Sequence, residues 1–557
     1  MDADNSILAL HLPGKSQCKN FLVFLTKAKK MFQTAYSLLS WLLNGGNQKD
    51  GFLPAAFPFL VAMLGLSLWY LFLKARKPMA PLPPGPRGLP VVGYIPFLGF
   101  DNLHLVFTEL AGVYGPIYKL WLGNKLIVVI SSPSLVKEVV RDHDIAFSER
   151  EPPIAAQIIT YGSNDIAFDS YSNPSWKNKR KILASDMLSN ANLNICYDLR
   201  REKVMKMVGD VYENVGKPID VGELAFRTLV SLIGNMVWGG EIQGEQRTIV
   251  ESQFKKIFAE IMVLLGKPNI SDIFPSIAWF DIQGIERGMK KIRQSFNEFL
   301  DSVIEERMKK ETGEQKSDVL QMLLDLHKNQ DSPSSLTMNQ IKGILVNIVV
   351  AGTDTTSGST EWAMSELMQH PEIMEKVKKE LNDVIGVNNT VEEFHLPNLR
   401  YLNAVIKETF RLHPVLPLLV PRCSARSLTM GGYTIPKGSR VFLNTWSIHR
   451  DPNIWDNPMK FQPERFLNDP GKLDFRGNDF RYLPFGSGRR KCPGINLGEK
   501  MLSFILASLL HSFEWKLPQG EKVDLSGKFG IIMGKKNPLH LIPTPRLTDL
   551  ELYKRKS

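Results

Sequence analysis

The sequence predicts a mainly α-helical protein with minor β structure, carried behind a single N-terminal transmembrane helix. Three features of the 557-residue chain support this prediction. Residues 51–73 carry no charge, residues 333–371 hold the longest uninterrupted helical pattern, and residues 117–130 alternate as a β-hairpin does. Hydrophobic residues make up 43% of the chain and charged residues 22%, which excludes a disordered chain and a polytopic membrane protein.

The uncharged run at 51–73 is the predicted membrane anchor. A helix of this length can cross a hydrocarbon core about 30 Å thick. Trp69 and Tyr70 lie near its end, where interfacial aromatic residues are common, and a basic stretch follows at 74–77. The alternative, a buried core helix, is disfavoured because the run has no amphipathic face. The positive charge after the run predicts that the C-terminal bulk of the chain lies in the cytosol.

The segments on either side of the anchor are an N-terminal extension at 1–50 and a basic stop with a proline-rich hinge at 74–90. The extension has two explanations: a weak amphipathic or targeting segment, and a gene-model start placed too early, with Met31 as the true initiator. Prolines in the hinge fix φ and stiffen the connection. Residues 91–557 contain no repeat, low-complexity tract or second linker, so we expect one large domain there.

The soluble body is expected to be rich in helix. Alternating residues predict a hairpin formed by Ile117–Leu122 and Leu126–Ile130, and Ser134–Asp142 predicts a short helix. The long helix should begin at a serine or threonine cap between residues 334 and 337 and end at His370-Pro371. Some thirty residues would span roughly 45–50 Å, so this helix should pass through the core.

The middle of this helix contains residues that helix interiors disfavour, and they come directly after an apolar stretch. Ile344–Val350 is apolar apart from Asn347, which fits burial. In the next segment, Ala351–Thr356, Gly352 costs about 1 kcal/mol relative to alanine, and a buried Asp354 would need polar partners. Broken local rules in a buried helix predict a functional site, and the alternative is a helix that is merely kinked.

The four cysteines have no short spacing between them, which disfavours a disulfide framework and a cysteine-rich zinc site. Cys492 lies in a glycine-rich loop, residues 485–494, where glycines let the backbone approach the sulfur. Backbone N–H groups, the cations at 489–491 and the start of a predicted helix at Leu497–Ser512 would stabilise a thiolate. A single thiolate suits the iron of a planar macrocycle, and the alternatives are an inert loop cysteine and a simple nucleophile.

Several motifs, in this order along the chain, together resemble those of the cytochrome P450 superfamily over about Pro83 to Leu547. They are Trp176-Lys-Asn-Lys-Arg180, Ala351-Gly352-x-Asp354-Thr355, Glu408-Thr-Phe-Arg411, Pro463-Glu-Arg-Phe466 and Phe485-x-x-Gly488-x-Arg490-x-Cys492-x-Gly494. The resemblance implies the cytochrome P450 fold and haem b as the cofactor. It also implies a single-pass protein of the endoplasmic reticulum membrane, with the catalytic domain in the cytosol.

The resemblance also implies a role for each matched residue. Cys492 is the expected iron ligand, within the signature that Phe485 begins, and Gly352 leaves room for oxygen. Asp354 and Thr355 are the expected catalytic residues, which deliver protons to dioxygen. The residues expected to bind the haem propionates are Trp176, Arg180, Arg422 and Arg490. The cluster formed by Glu408, Arg411 and Arg465 is expected to be structural.

The chain carries 68 basic and 57 acidic side chains, a net charge of +11, which suggests an anionic partner. No nucleic-acid motif or basic–aromatic interleaving occurs. The resemblance implies NADPH–cytochrome P450 reductase, which could dock on Lys177–Lys181 and Arg489–Lys491. On this hypothesis, charge reversal at Lys179 and Lys491 slows reductase-driven turnover.

The segments expected to line the substrate pocket are apolar, which suggests a hydrophobic substrate. They are Ile154–Ile159, Val346–Ala351, Leu416–Val420 and Phe529–Ile532. Stretches at 41–51, 115–124, 267–275 and 418–422 resemble a plant group that contains sesquiterpene hydroxylases, which implies hydroxylation of a sesquiterpene such as (+)-δ-cadinene. The alternatives are a flavonoid or other aromatic hydroxylase, a haem-thiolate isomerase or dehydratase, and a non-enzymatic haem-bearing binding protein or sensor. The intact Asp354-Thr355 pair disfavours the last two.

Overall fold

The computed structural model describes residues 80–239, 245–309, 318–329, 331, 334–467 and 473–554. The predicted extension at 1–50, its alternative start at Met31, the anchor at 51–73 and the basic stop lie outside these residues. Among the helices that the model describes, none is both long and apolar enough to cross a membrane.

The described residues are mainly helical, as predicted. The α-helices are α1 (Leu103–Tyr114), α2 (Pro133–Lys137), α3 (Ile154–Ile159), α4 (Pro174–Lys181), α5 (Asn190–Ile195), α6 (Tyr197–Tyr212), α7 (Val221–Trp238), α8 (Glu245–Gly266), α9 (Ile270–Ile273), α10 (Ile285–Lys309), α11 (Val319–Lys328), α12 (Met338–Gln369), α13 (Pro371–Ile385), α14 (Arg400–Leu412), α15 (Thr445–Ile448) and α16 (Ile495–Ser512).

The strands form small sheets. They are β1 (Ile117–Leu122), β2 (Lys125–Ile130), β3 (Ile219–Asp220), β4 (Arg422–Cys423), β5 (Leu428–Met430), β6 (Tyr433–Ile435), β7 (Arg440–Leu443), β8 (Phe513–Lys516), β9 (Gly527–Lys528), β10 (Gly534–Lys535) and β11 (His540–Pro545). One sheet has the order β1-β2-β7-β4, with β2 and β7 parallel, and a second has the antiparallel order β3-β11-β8. Two antiparallel pairs, β5–β6 and β9–β10, complete the β structure of the described residues.

The predicted hairpin is confirmed by β1 and β2, which pair antiparallel with Ile117 opposite Ile130. The predicted helix at Ser134–Asp142 is also found, as α2 followed by a π-helical turn at Glu138–Asp142. The helix after the cysteine loop begins two residues earlier than predicted, at Ile495. These elements were predictable because turn residues and local periodicity define them.

The predicted long helix is α12, which is buried along most of its 32 residues. It begins with a capping box: the Gln340 N–H donates to the Thr337 hydroxyl at 3.3 Å, and the Gln340 side chain accepts from the Thr337 N–H at 2.9 Å. It ends before Pro371, because proline disfavours helical backbone in the preceding residue. At 1.5 Å per residue the helix is about 48 Å long, and it packs most extensively on α7.

A buried ion cluster joins α14 to the segment that precedes the cysteine loop. Glu408 and Arg411 are fully buried, and the guanidinium donates to both carboxylate oxygens at 2.8 Å. Arg465 donates to the same carboxylate at 3.1 Å, and so does the Gln462 N–H at 2.8 Å. The Arg411 guanidinium also donates to the backbone carbonyls of His449, Pro458 and Lys460. The cluster predicted from the motif is therefore present.

We predict that Glu408→Gln lowers the free energy of unfolding by about 3–5 kcal/mol, because Arg411 stays buried while the carboxylate that it contacts is lost. Urea unfolding of the holoprotein, followed by tryptophan fluorescence, measures the change. Glu551→Gln is the control, since Glu551 forms an exposed i, i+3 pair with Lys554 and such pairs contribute less than about 1 kcal/mol. Equal losses in the two variants would contradict a structural role for the cluster.

Candidate functional site

The cysteine loop is closed by its own backbone. The Cys492 N–H donates to the Phe485 carbonyl at 3.0 Å, which brings the two ends of the signature together. Gly486 and Gly488 both have a φ of 69°, a conformation that favours glycine. A Cβ on Gly488 would also lie 2.6 Å from the Val140 carbonyl oxygen. The glycines therefore allow the chain to fold tightly around the sulfur.

The Cys492 sulfur receives less positive charge than the sequence suggested. Burial raises the pKa of its thiol above the ordinary value, while the Gly494 N–H at 3.4 Å, Arg180 and Lys491 act in the opposite direction. Arg489 contacts Asp144 at 3.3 Å instead, so its charge is already paired. Because a metal binds the thiolate rather than the thiol, a cation at the sulfur would offset the cost of burial.

The Arg490 guanidinium is likewise engaged away from the sulfur. It donates to the carbonyls of Ser148, Ile166 and Asp169 at 2.7, 3.2 and 2.6 Å. Of the three predicted cations, Lys491 acts on the Cys492 thiol, whereas Arg489 and Arg490 contact partners on other segments.

The threonine-rich part of α12 faces an open space. Ala351 is exposed although it lies in the middle of the longest described helix, and Asp354 and Thr355 are half-buried, while Thr353 and Thr356 are buried. Asp354 is therefore less buried than its place in the middle of a core helix suggested. The Thr355 hydroxyl donates to the Ala351 carbonyl at 2.6 Å.

The threonine-rich segment of α12 and the cysteine loop meet at the start of α16, through the buried Thr356. A Cβ on Gly498 would lie 3.8 Å from the Thr356 hydroxyl oxygen and 3.9 Å from Cε1 of Phe485. Two motifs that are about 130 residues apart in sequence are thus joined through one glycine. The fold brings the predicted oxygen-activating and iron-binding segments together.

The structure gives a packing reason for a glycine at position 352, which the sequence did not indicate. A Cβ there would lie 2.8 Å from Cδ1 of Ile233 on α7, so the glycine lets the two helices approach closely. The geometry shows this contact with Ile233, and the expected role of leaving room for oxygen stays a prediction.

The residues predicted to bind the propionates converge on one region. Trp176 is buried, and its indole N–H donates to the Ile166 carbonyl at 2.9 Å, the same oxygen that Arg490 contacts. The Arg490 guanidinium lies 4.3 Å from the Trp176 ring centroid, and that of Arg180 lies 5.8 Å from it. Arg422 donates to the Ser487 carbonyl at 2.7 Å. The four side chains are therefore brought together beside the cysteine loop.

Arg150 belongs to this group, although the sequence analysis missed it. Its guanidinium donates to the carbonyls of Val420 and Pro421 at 2.5 and 2.6 Å, on the segment that carries Arg422. Burial and the neighbouring Arg490 and Arg422 lower its pKa well below the ordinary value. No local signal identifies Arg150, because a Glu-Arg-Glu run is typical of a solvated loop.

The three arginines 150, 422 and 490 concentrate positive charge that the protein only partly neutralises. Asp144 contacts Arg422 at 3.3 Å, but backbone carbonyls supply most of the other contacts. Burial and Arg422 lower the pKa of Arg490 to about 10. A dianionic group would relieve this repulsion, and a nearby cysteine sulfur suits iron. The residues present therefore fit haem, with its two carboxylates.

One residue of the predicted docking surface is buried. Lys179 is fully buried and contacts the Asp169 carboxylate at 2.6 Å, so it cannot be a docking cation. Lys177 and Arg489 are exposed, and both lie over the Tyr171 ring, at 5.3 and 5.6 Å from its centroid. The fold thus brings the two predicted basic segments together, with Lys177 and Lys181 exposed as expected and Lys179 buried.

Two of the predicted pocket segments also come together. Phe529 packs in the cluster that contains Leu418, and its ring stacks on His104 at a centroid distance of 4.9 Å. The Met533 N–H donates to the Val415 carbonyl at 2.8 Å, which joins the backbones that flank the two segments.

Comparison with known proteins relates this geometry to a family. The sequence matches the family model described as Cytochrome P450 over residues 83–542. It is 38% identical over 487 residues to a flavonoid 3'-monooxygenase from Petunia hybrida, with 86% of this chain and 94% of the relative covered. It is 38% identical over 497 residues to a geraniol 8-hydroxylase from Catharanthus roseus, with 87% and 98% covered.

A carnosic acid synthase from Salvia pomifera is 39% identical over 472 residues, with 83% of this chain and 93% of the relative covered. A solved zebrafish cytochrome P450 structure with progesterone aligns with a TM-score of 0.69 at 27% identity. That alignment covers 79% of this chain and 99% of the other.

Proposed function

This chain belongs to the cytochrome P450 family and is a haem-dependent monooxygenase, and from this premise we propose that it hydroxylates a hydrophobic plant metabolite with electrons from NADPH through a reductase. The observation that carries the proposal is the meeting of the Cys492 loop and the threonine-rich segment of α12 at Gly498. The uncharged run at 51–73 supports a single-pass protein of the endoplasmic reticulum membrane, with the catalytic domain in the cytosol.

Haem supplies the activation of dioxygen when it is bound to Cys492. We propose that Trp176, Arg180, Arg422 and Arg490, together with Arg150, hold its carboxylates. The half-buried Asp354 can exchange protons with water, and the Thr355 hydroxyl donates to the Ala351 carbonyl. The lone pairs on Oγ1 of Thr355 can then accept a hydrogen bond from water on the open side of the helix. This arrangement supports proton delivery through Asp354 and Thr355.

The proposed substrate is a sesquiterpene such as (+)-δ-cadinene, and a flavonoid is the second candidate. Apolar segments around Leu418 and Phe529 support a hydrocarbon-like molecule, because few charges could recognise polar groups there. The likeness to a geraniol 8-hydroxylase agrees with an isoprenoid substrate. The likeness to a flavonoid 3'-monooxygenase supports the second candidate equally well.

We predict that microsomes containing this protein and a reductase convert (+)-δ-cadinene to a product heavier by one oxygen atom, in an NADPH-dependent reaction. Mass spectrometry of parallel incubations with cadinene, geraniol and flavonoids measures the outcome. Turnover of flavonoids alone would overturn the sesquiterpene assignment but not the monooxygenase activity. Product formation without oxygen or NADPH would instead favour an isomerase or dehydratase.

We predict that Thr355→Ala keeps haem but lowers the fraction of NADPH electrons that reaches product, because the hydroxyl no longer guides protons. The measurement compares NADPH consumed, peroxide released and product formed. Thr353→Ala is the matched control, since Thr353 is buried and donates in the same way to the Val349 carbonyl, at 2.7 Å. Unchanged coupling in the Thr355 variant would contradict its role.

We predict that Lys177→Glu combined with Arg476→Glu slows reductase-driven turnover by at least about threefold at low salt, because docking loses electrostatic attraction. Lys177 is exposed, and the Arg476 side chain is 79% exposed on a segment whose carbonyl contacts Lys491. Lys309→Glu is the control, because Lys309 is equally exposed on α10. A rate that stays unchanged and insensitive to salt would exclude docking on this surface.

A further inference from the structure

Asn347 is the polar exception in the apolar stretch Ile344–Val350, and both its oxygen and its nitrogen are hydrogen-bonded. Oδ1 accepts from the Ile166 and Ala167 N–H groups at 3.0 and 3.2 Å. Nδ2 donates to Oδ2 of Asp165 at 3.0 Å. One side chain on α12 thus binds three groups of a loop that lies about 180 residues earlier in the sequence.

Asp165 continues the same network. It is fully buried, and its Oδ1 accepts from the Phe168 and Asp169 N–H groups at 3.1 Å each. Gly343, one turn before Asn347, makes room for the loop, because a Cβ there would lie 2.6 Å from the Asn164 carbonyl oxygen. We call residues 164–169 the clamped loop. Three hydrogen bonds with Asn347 hold this loop on α12, and two more, accepted by Asp165, lie within the loop and fix its backbone.

The clamped loop carries the acceptors that orient two of the proposed propionate-binding residues. The Ile166 carbonyl accepts from the Trp176 indole at 2.9 Å and from Arg490 at 3.2 Å. The Asp169 carbonyl accepts from Arg490 at 2.6 Å, and its carboxylate binds the buried Lys179. Asp165 also adds negative charge near Arg490 and Arg150. A displacement of this loop would move both Trp176 and Arg490.

We propose that Asn347 and Asp165 are positioning residues for haem, which act by fixing the clamped loop that orients Trp176 and Arg490. The inference rests on the proposed role of these two residues in binding the propionates. It assigns a function to the one polar side chain in the apolar stretch of α12, and it connects this helix to the side of the site where the carboxylates bind.

The hydrogen-bond pattern allows a test by exchange of the two side chains. Asn347→Asp alone places two carboxylates against each other, and Asp165→Asn alone makes two NH2 groups face each other. In the double variant, the carboxylate introduced at position 347 can accept from the loop N–H groups and from the amide introduced at position 165. The oxygen of that amide then accepts from the Phe168 and Asp169 N–H groups. All five hydrogen bonds are restored, and the one between the two side chains has its donor and acceptor reversed.

The experiment measures the rate at which each holoprotein releases haem to excess apomyoglobin, together with the absorbance of the ferrous carbon monoxide complex. We expect each single variant to release haem about 10- to 100-fold faster, and the double variant to release it at the parent rate. Asn235→Asp is the control, since Asn235 is also half-buried and donates to the Ser231 carbonyl within α7. This control should keep the parent rate.

The outcomes distinguish a failure of the proposed clamp from a failure of the proposed propionate-binding role. Parent rates in both single variants, or a double variant no better than the worse single one, would overturn the proposal. If the single variants do not fold, a double variant that folds and keeps haem supports it, and one that fails overturns it. Trp176→Phe and Arg490→Met test the propionate role independently, because unchanged haem release in both would refute that role whatever the clamp variants do.

Discussion

Buried positive charge is the constraint on which the organisation of this protein depends, and the chain meets it in two ways. Arg411 is neutralised by a carboxylate on its own helix, and Lys179 by Asp169. Arg150 and Arg490 are held mainly by backbone carbonyls, which satisfy their N–H groups but leave their net charge. Arginines whose charge is cancelled hold segments together, whereas arginines whose charge remains can bind an anionic cofactor. The kind of partner therefore separates the structural cations from those that we propose bind the cofactor.

The long helix α12 contributes both to the packing of the fold and to the proposed site, because its faces differ. One face packs on α7 at Gly352, where the absence of a side chain lets the helix approach Ile233 closely. A second face is open at Ala351 and Thr355, where the oxygen chemistry is proposed, and a third receives the clamped loop at Gly343 and Asn347. Gly343, Gly352 and Asn347 each lower the intrinsic stability of the helix. Burial in the core compensates for this low intrinsic stability. The helix can therefore present three faces with different contacts.

Sequence patterns predicted the elements that local rules determine and failed where distant segments decide. The hairpin at β1 and β2, the Thr337 cap and the Glu408–Arg411 pair follow from turns, caps and helical spacing. Lys177, Lys179 and Lys181 looked alike, because only the position of Asp169 on the preceding loop determines which of them is buried. Arg150 gave no signal for the same reason, since its carbonyl partners lie about 270 residues away. The oddity at Asn347 was visible, but its partners were not.

The cofactor can be inferred from particular residues more directly than the substrate can. Charges and hydrogen bonds at the cofactor require particular side chains in particular places, and relatives named for flavonoid, geraniol and carnosic acid chemistry are all 38–39% identical to this chain. An apolar pocket discriminates mainly by shape, and one methylene group changes binding by only about 1–3 kcal/mol. Phe529 and Leu418 pack in one apolar cluster, and the Met533–Val415 hydrogen bond joins the backbones that flank their segments. In the proposed pocket, small shifts of these segments would change its shape and leave the arginines beside the cysteine loop in place. On this proposal, specificity can change within the fold without any change to the residues proposed to hold the cofactor.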